Sequence, residues 1–91
     1  MAITYAISLS SLLNLHSNDH PSLKVDDLTR DLYTYDFDGL SVNVRDNGIT
    51  EPLTVVNGVL VNGHHRAIVL KELGIGSVPI TYSGYLDKMP A

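Results

Sequence analysis

The segment from Leu53 to Arg66 reads Leu-Thr-Val-Val-Asn-Gly-Val-Leu-Val-Asn-Gly-His-His-Arg. Its Asn57-Gly58 dipeptide separates two runs that are rich in β-branched residues, and a type I′ turn needs positive φ at both central positions. The pattern therefore predicts a β-hairpin with strands over Leu53–Val56 and Val59–Val61. The apolar spacing that follows predicts a helix from His64 to Leu73, ended by Gly74.

The junction between this hairpin and this helix is the candidate functional site. The start of a helix leaves backbone N–H groups unpaired, and the helix dipole favours an anion there. Three consecutive cationic or protonatable side chains, those of His64, His65 and Arg66, stand at that start. The sequence therefore predicts a site for a phosphate-sized anion over Asn62, Gly63, His64, His65 and Arg66.

Residues up to 32 predict one strand, a short helical turn and a helix. Ile3, Tyr5 and Ile7 alternate with small or polar residues, which indicates a strand with one buried face. Ser10 or Ser11 is expected to cap a short helical turn, and residues 15–21 have loop composition. The helical spacing of Val25, Leu28 and Leu32 predicts a helix.

A further helix is predicted to begin with Asp38 as its N-cap and to end at Asn47-Gly48. Residues 78–82 predict a last strand, and Pro79 favours an edge or strand-start position for it. The tail over residues 83–91 is expected to be loose. Together these elements predict the α+β class, with a small mixed sheet, a β-hairpin and packed helices.

Composition limits the class of protein. Ninety-one residues suit one domain over 1–91, and 44% apolar with 18% charged residues suits a folded core. The chain has no cysteine, and no apolar run approaches the roughly 18 residues of a membrane span. The start also lacks the basic region of a signal peptide. We expect a cytoplasmic protein that does not associate with membranes.

The charge balance bears on nucleic-acid binding. Six basic residues are scattered among ten acidic ones, which gives a net charge of −4. Proteins that bind DNA over a broad face gain affinity from lysine and arginine that displace counterions. Direct broad DNA binding by the monomer is therefore not expected, whereas a small local anion site is compatible with an acidic chain.

Four blocks of the sequence carry a resemblance to a known family. Residues 48–55 read Gly-Ile-Thr-Glu-Pro-Leu-Thr-Val, and residues 62–67 read Asn-Gly-His-His-Arg-Ala, followed by Leu70-Lys71-Glu72-Leu73-Gly74 and Val78-Pro79-Ile80. These blocks resemble, in order, the motifs of the ParB/sulfiredoxin superfamily, whose members include partition-protein N-terminal domains and ParB-like nuclease domains. The resemblance covers residues 25–82. It implies a ParB N-terminal or sulfiredoxin-like fold in a small stand-alone member.

The resemblance also implies a ligand. In this superfamily the loop and first helical turn after the hairpin hold the phosphates of CTP or ATP, usually with Mg²⁺. Carried over, Gly63 would allow close backbone approach, and His65 and Arg66 would contact phosphate. His64 stands where sulfiredoxins place their cysteine nucleophile, so sulfiredoxin chemistry is excluded. The expected function is regulatory nucleotide or phosphate binding, in a phage- or plasmid-encoded, DNA-partition-related protein.

Two departures from the family pattern weigh against catalysis. Many relatives carry aspartate where this chain has Asn62, and an amide is a poorer ligand for Mg²⁺ than a carboxylate. Glu51 is then the remaining candidate catalytic residue, as a base or an indirect metal ligand. Binding is accordingly expected before chemistry. An NTPase, phosphotransferase or nuclease that uses Glu51 remains an alternative.

The same residues also allow simpler roles. The fold could instead belong to an interaction protein that binds a host protein. The chain could also form a homodimer. Asn62 could simply cap the helix, and the role of Arg66 could be limited to an ion pair with Glu51 or with an acidic residue of the first helix. No metal site is predicted; the alternative is a zinc site that combines His16 or His20 with His65.

Overall fold

The computed structural model describes residues 2–91, so Met1 of the predicted 1–91 domain lies outside the described residues. Eight helices and strands follow along that range: β1 (Ala2–Ser8), α1 (Leu9–Leu13), β2 (His16–Ser17), α2 (Phe37–Asn47), β3 (Leu53–Val56), β4 (Val59–Asn62), α3 (His64–Leu73) and β5 (Ser77–Ser83). Short 3-10 turns lie at Val25–Asp27, Arg30–Leu32 and Leu86–Lys88. The predicted α+β class with a small mixed sheet is confirmed.

The strands form one five-stranded sheet in the order β1-β5-β3-β4-β2. β1 with β5 and β3 with β4 are antiparallel, whereas β5 with β3 and β2 with β4 are parallel. Side chains on one face of the sheet are buried against the helices, and α3 lies at the centre of that layer. The buried hydrophobic residues of these strands and of α3 are Ile7, Leu53, Val55, Leu60, Ala67, Ile68, Val69, Leu70, Val78, Ile80 and Tyr82.

The predicted turns are present where the sequence places them. Asn57 and Gly58 have φ values of 50° and 79°, as a type I′ hairpin turn requires. Gly74 ends α3 in the left-handed region with φ of 68°. Gly48 ends α2 with φ of 73°. These positive φ values explain why glycine and asparagine decide the boundaries of the central elements.

The helix predicted over Val25, Leu28 and Leu32 is wrong. Two separate 3-10 turns occupy the region, and Leu28 between them has extended backbone with ψ of 136°. The Nζ atom of Lys71 in α3 donates hydrogen bonds to the carbonyl oxygens of Asp26 and Leu28, at 2.7 and 2.9 Å. Carbonyl groups that would bond within a helix therefore bond to another element instead.

Three predicted positions also shift. The N-cap of α1 is Ser8 and not Ser10 or Ser11, because the Ser8 hydroxyl accepts the N–H of Ser11. The N-cap of α2 is Asp36, because its carboxylate accepts the N–H of Gly39 and Phe37 already lies inside the helix. β5 is an interior strand and Pro79 is its third residue, so the predicted edge or strand-start position of Pro79 is wrong. The proline is tolerated because β3 pairs with β5 only from Ile80 onward.

The tail after β5 is held more firmly than predicted. The backbone N–H of Tyr85 donates to Oδ1 of Asn57 at 2.7 Å, and the Tyr82 hydroxyl donates to the carbonyl of Tyr85. The Tyr5 hydroxyl donates to the carbonyl of Pro90, and Met89 packs against the core. The expectation of a loose tail is corrected, because these contacts fix it against β1 and the hairpin turn.

Candidate functional site

The backbone at Gly63 opens the start of α3. Gly63 is the N-cap residue, with φ of 107° and ψ of 22°, and no side chain caps the helix. A Cβ atom at this position would lie 2.6 Å from Cγ of Leu53 and 3.1 Å from Nη2 of Arg66. Only glycine fits there. The first-turn N–H groups of α3 therefore face outward without a capping side chain above them.

Two adjoining cavities lie at this helix start. The first, of about 320 Å³, is lined by Asp19, Tyr35, Leu40, Val61, Asn62, Gly63, His64, His65 and Arg66. The second, of about 280 Å³, is lined by Leu40, Asn43, Val44, Gly48, Ile49, Thr50, Glu51, Asn62 and Arg66. The structure thus brings all six predicted site residues to one region. Asn62 and Arg66 line both cavities.

Arg66 is fixed through the backbone of the segment that enters β3. Its Nη1 atom donates to the carbonyl oxygen of Glu51. Within residues 2–91 no ion pair joins the Arg66 guanidinium to a carboxylate. The possibility that Arg66 only pairs with an acidic side chain therefore lacks support. A guanidinium that is positioned but not neutralised can still bind an anion through its other N–H groups.

His64 lies in a different environment from the one predicted. Its side chain is only 6% exposed, and Nδ1 lies 3.3 Å from Oδ2 of Asp19. Burial lowers the pKa of His64, while the Asp19 carboxylate partly opposes that shift. The net shift favours the neutral ring. The Nε2 atom is buried without a hydrogen-bond partner in the described part of the chain. His64 is suited to contribute its backbone N–H rather than a side-chain charge.

Asp19 is a site residue that no sequence motif indicates. It lies in the loop after β2, lines the first cavity and also accepts the hydroxyl of Tyr33 at 3.1 Å. Burial, followed by the contact with Asp19, raises the pKa of Tyr33 to about 12. Asp19 therefore joins the loop, the segment before α2 and the first turn of α3. No spacing rule connects Asp19 to His64, about 45 residues later, so only the fold reveals the pair.

His65 sits in an aromatic cluster, defined here as Tyr33, Tyr35, Phe37 and His65. Its ring stacks on Tyr35 with centroids 3.9 Å apart and planes 20° apart. Tyr33 and Phe37 meet the same ring edge-on at 4.9 and 5.6 Å. The cluster holds His65 at the wall of the first cavity, and Tyr35 remains half exposed beside it.

Arg30 ties this cluster to α3. Its guanidinium donates to both carboxylate oxygens of Glu72, at 2.8 to 3.1 Å, and to Asp38 at 2.8 Å. The same group lies 5.5 Å from the centroid of the Phe37 ring. Arg30 is thus a structural residue, which leaves Arg66 as the arginine that lines the cavities.

Comparisons with known proteins address the fold. No protein-family model matches the chain, and no curated protein sequence matches it. Among solved structures the chain is similar to the C2221 crystal form of the Pnob8-like ParB-N domain, with a TM-score of 0.66 over 93% of this chain and 19% sequence identity. The chain has a ParB-like fold. It spans about a third of the length of that neighbour, 31% of its chain.

The ParB-like fold gives the predicted site residues their places but not their roles. Asn62 is the last residue of β4 and not the helix cap, because Gly63 occupies the cap position. Glu51 is exposed and reaches Arg66 only through its carbonyl. Across residues 2–91 no three His, Asp or Glu side chains lie close enough to hold a metal ion by themselves. In the same range, no helix has the length and apolar character needed to cross a bilayer.

Proposed function

We propose that this ParB-like chain binds a nucleotide, or another phosphate-bearing ligand, at the start of α3, in a regulatory role. The observation that carries the proposal is the uncapped helix start beside an unneutralised arginine. The N-cap is a left-handed glycine without a side chain, and the Arg66 guanidinium lines the same cavity. Free N–H groups, the helix dipole and a guanidinium all favour a phosphate there.

The two adjoining cavities suit a ligand larger than inorganic phosphate. Because Asn62 and Arg66 line both, a phosphate chain held at Arg66 could extend from one cavity into the other. The proposed ligands are therefore nucleoside triphosphates, with CTP and ATP first. Mg²⁺ commonly binds to one or two carboxylates together with substrate phosphates. Asp19 lines the first cavity and Glu51 the second, so each would supply one carboxylate for Mg²⁺ in its own cavity.

Binding is favoured over catalysis by the surroundings of the candidate catalytic groups. The Glu51 carboxylate is exposed, and Asn62 supplies an amide where a second carboxylate would help to hold Mg²⁺. The buried His64 ring is paired with Asp19 and so is not a free acid or base at the cavity surface. A ligand that bridges α3 and the segment entering β3 would instead act by stabilising their relative position.

A thermal-shift panel tests this proposal. CTP, ATP and inorganic triphosphate are added with and without Mg²⁺, and the melting temperature of the chain is recorded. A ligand at a hundred-fold excess over its Kd stabilises the folded state by about 2.7 kcal/mol. That corresponds to a rise of roughly 10–20 °C for a domain of this size.

The matched variants are Arg66→Ala and Arg45→Ala. Arg45 lies exposed on α2 and approaches only its neighbour Asp46 at 3.8 Å, so its loss removes the same charge away from the cavities. The proposal predicts that Arg66→Ala abolishes the rise and that Arg45→Ala preserves it. The absence of any shift with the wild-type chain at millimolar ligand would refute the proposal, as would equal losses in the two variants.

A further inference from the structure

β1 leaves one long side unpaired at the edge of the sheet. Its residues Ala2–Ser8 pair with β5 over the full length of the strand. On its other side β1 has no hydrogen-bonded strand among residues 2–91. The opposite edge differs, since β2 has only two residues and is bridged at His16 to Lys24.

The exposed edge lacks the features that usually prevent strand pairing. Proteins protect such edges with lysine, proline, bulges or very short strands. The segment Ala-Ile-Thr-Tyr-Ala-Ile-Ser contains no charged residue and no proline, and its register with β5 is uninterrupted. An uncharged edge strand without interruptions is a template for another strand.

Pro79 shows which backbone groups point outward. Ala6 stands opposite Pro79, and opposed residues in an antiparallel pair alternate between hydrogen-bonded and non-hydrogen-bonded. Because proline has no N–H, Ala6 and Pro79 form a non-hydrogen-bonded pair. By alternation, the N–H and C=O groups of Ala2, Thr4, Ala6 and Ser8 face the free edge. Those of Ile3, Tyr5 and Ile7 pair with β5.

We propose that β1 is a homodimer interface, in which β1 of a second copy pairs with it antiparallel about a two-fold axis at Tyr5. This register places Ala2 opposite Ser8 of the second copy and Thr4 opposite its Ala6. Outward-facing groups then meet outward-facing groups along all seven residues of the strand. A slip of one residue would oppose an outward-facing residue to an inward-facing one. A slip of two residues keeps the alternation but pairs only five residues of each strand, so the register centred on Tyr5 gives the longest pairing.

The side chains also match a second copy. In this register Tyr5 faces Tyr5, and Ile3 faces Ile7, which gives apolar cross-strand pairs on the helix side of the sheet. Ile3 and Tyr5 are only partly buried in the monomer and would lose exposed surface on pairing. On the other face the pairs join alanine, threonine and serine. No like charges meet, and a charged partner strand would find no complementary charge.

Sedimentation equilibrium of the chain from about 1 µM to about 1 mM tests the interface. The expected result is a rise of the apparent mass from 9.9 kDa toward twice that value. In hydrogen exchange measured by NMR, the Thr4 and Ala6 amides should become protected as concentration rises. The Tyr5 and Ile7 amides, which bond to β5, should be protected at every concentration. A monomer across the whole range would overturn the proposal.

Three variants locate the interface. Ala6→Pro removes an outward N–H that β5 does not use, and Thr4→Lys puts a charge on the edge, so both should give monomers. Thr81→Lys is the matched control, because Thr81 lies one strand inside the edge, with its hydroxyl 3.1 Å from that of Thr4. It should leave the dimer intact. Circular dichroism reports whether Ala6→Pro folds. If Ala6→Pro does not fold, the apparent mass of Thr4→Lys alone tests the interface. A dimer that survives Thr4→Lys, or is lost only in Thr81→Lys, would overturn the assignment.

Discussion

Replacing Gly63 with alanine tests the local geometry that opens the start of α3. The position combines a backbone that L side chains rarely adopt, at φ of 107°, with a Cβ contact of 2.6 Å to Leu53. Backbone strain of this kind costs about 1–3 kcal/mol. Leu53 is fully buried, so overpacking against it adds about 1–3 kcal/mol. Gly63→Ala should therefore lower the free energy of unfolding by about 2–6 kcal/mol.

Gly74→Ala provides the matched control. Gly74 also has positive φ, at 68°, but a Cβ atom there would meet nothing within 4 Å. Its substitution should cost only the left-handed strain of about 1–2 kcal/mol. Urea unfolding of both variants measures the difference, which isolates the contact with Leu53. If Gly63→Ala costs no more than Gly74→Ala, the close packing of Gly63 on β3 is refuted.

Three further predictions concern residues around the site. Burial lowers the pKa of His64, so the imidazole binds a proton more readily in the unfolded chain than in the folded one. The free energy of unfolding should therefore hold above about pH 6.5 and fall as the pH drops below that value. His64→Gln should make this fall smaller when it is measured by urea unfolding. Glu51→Gln should not change the affinity for nucleotide that calorimetry measures without Mg²⁺, because Glu51 contacts Arg66 through its backbone carbonyl. If the wild-type chain releases phosphate and this variant does not, the enzyme alternative is favoured. Asn57→Ala should destabilise the chain by about 1–3 kcal/mol, because alanine is strained at positive φ and the acceptor for the Tyr85 N–H is lost. Hydrogen exchange of the Tyr85 amide should become faster. Unchanged exchange would contradict the anchoring of the tail.

The parts of the fold that could be predicted are those decided by local backbone chemistry. The hairpin turn at Asn57-Gly58 and the end of α3 at Gly74 follow from the need for positive φ, which few residues meet. The six predicted site residues come together because five are contiguous in the chain. Glu51 joins them because β3, which it precedes, pairs with β4, which leads into Gly63.

The parts that could not be predicted depend on contacts between distant residues. The helix predicted over residues 25–32 gives way to 3-10 turns whose carbonyls bond to Lys71, about 45 residues later. The α2 boundary is ambiguous locally, because Asp36 and Asp38 are both good caps and only the packing of Phe37 chooses between them. The burial of His64 against Asp19 and the stacking of His65 on Tyr35 likewise have no signal in the spacing of the sequence.

Backbone amide shifts in an NMR titration with CTP or ATP and Mg²⁺ test the central proposal most directly. The N–H groups at the start of α3 are the proposed phosphate ligands, so their signals should move first and furthest. We predict saturable shifts centred on Gly63, His64, His65 and Arg66, and their loss in Arg66→Ala. Titration to millimolar nucleotide without shifts in these amides, or with shifts centred on another part of the chain, would contradict the proposal.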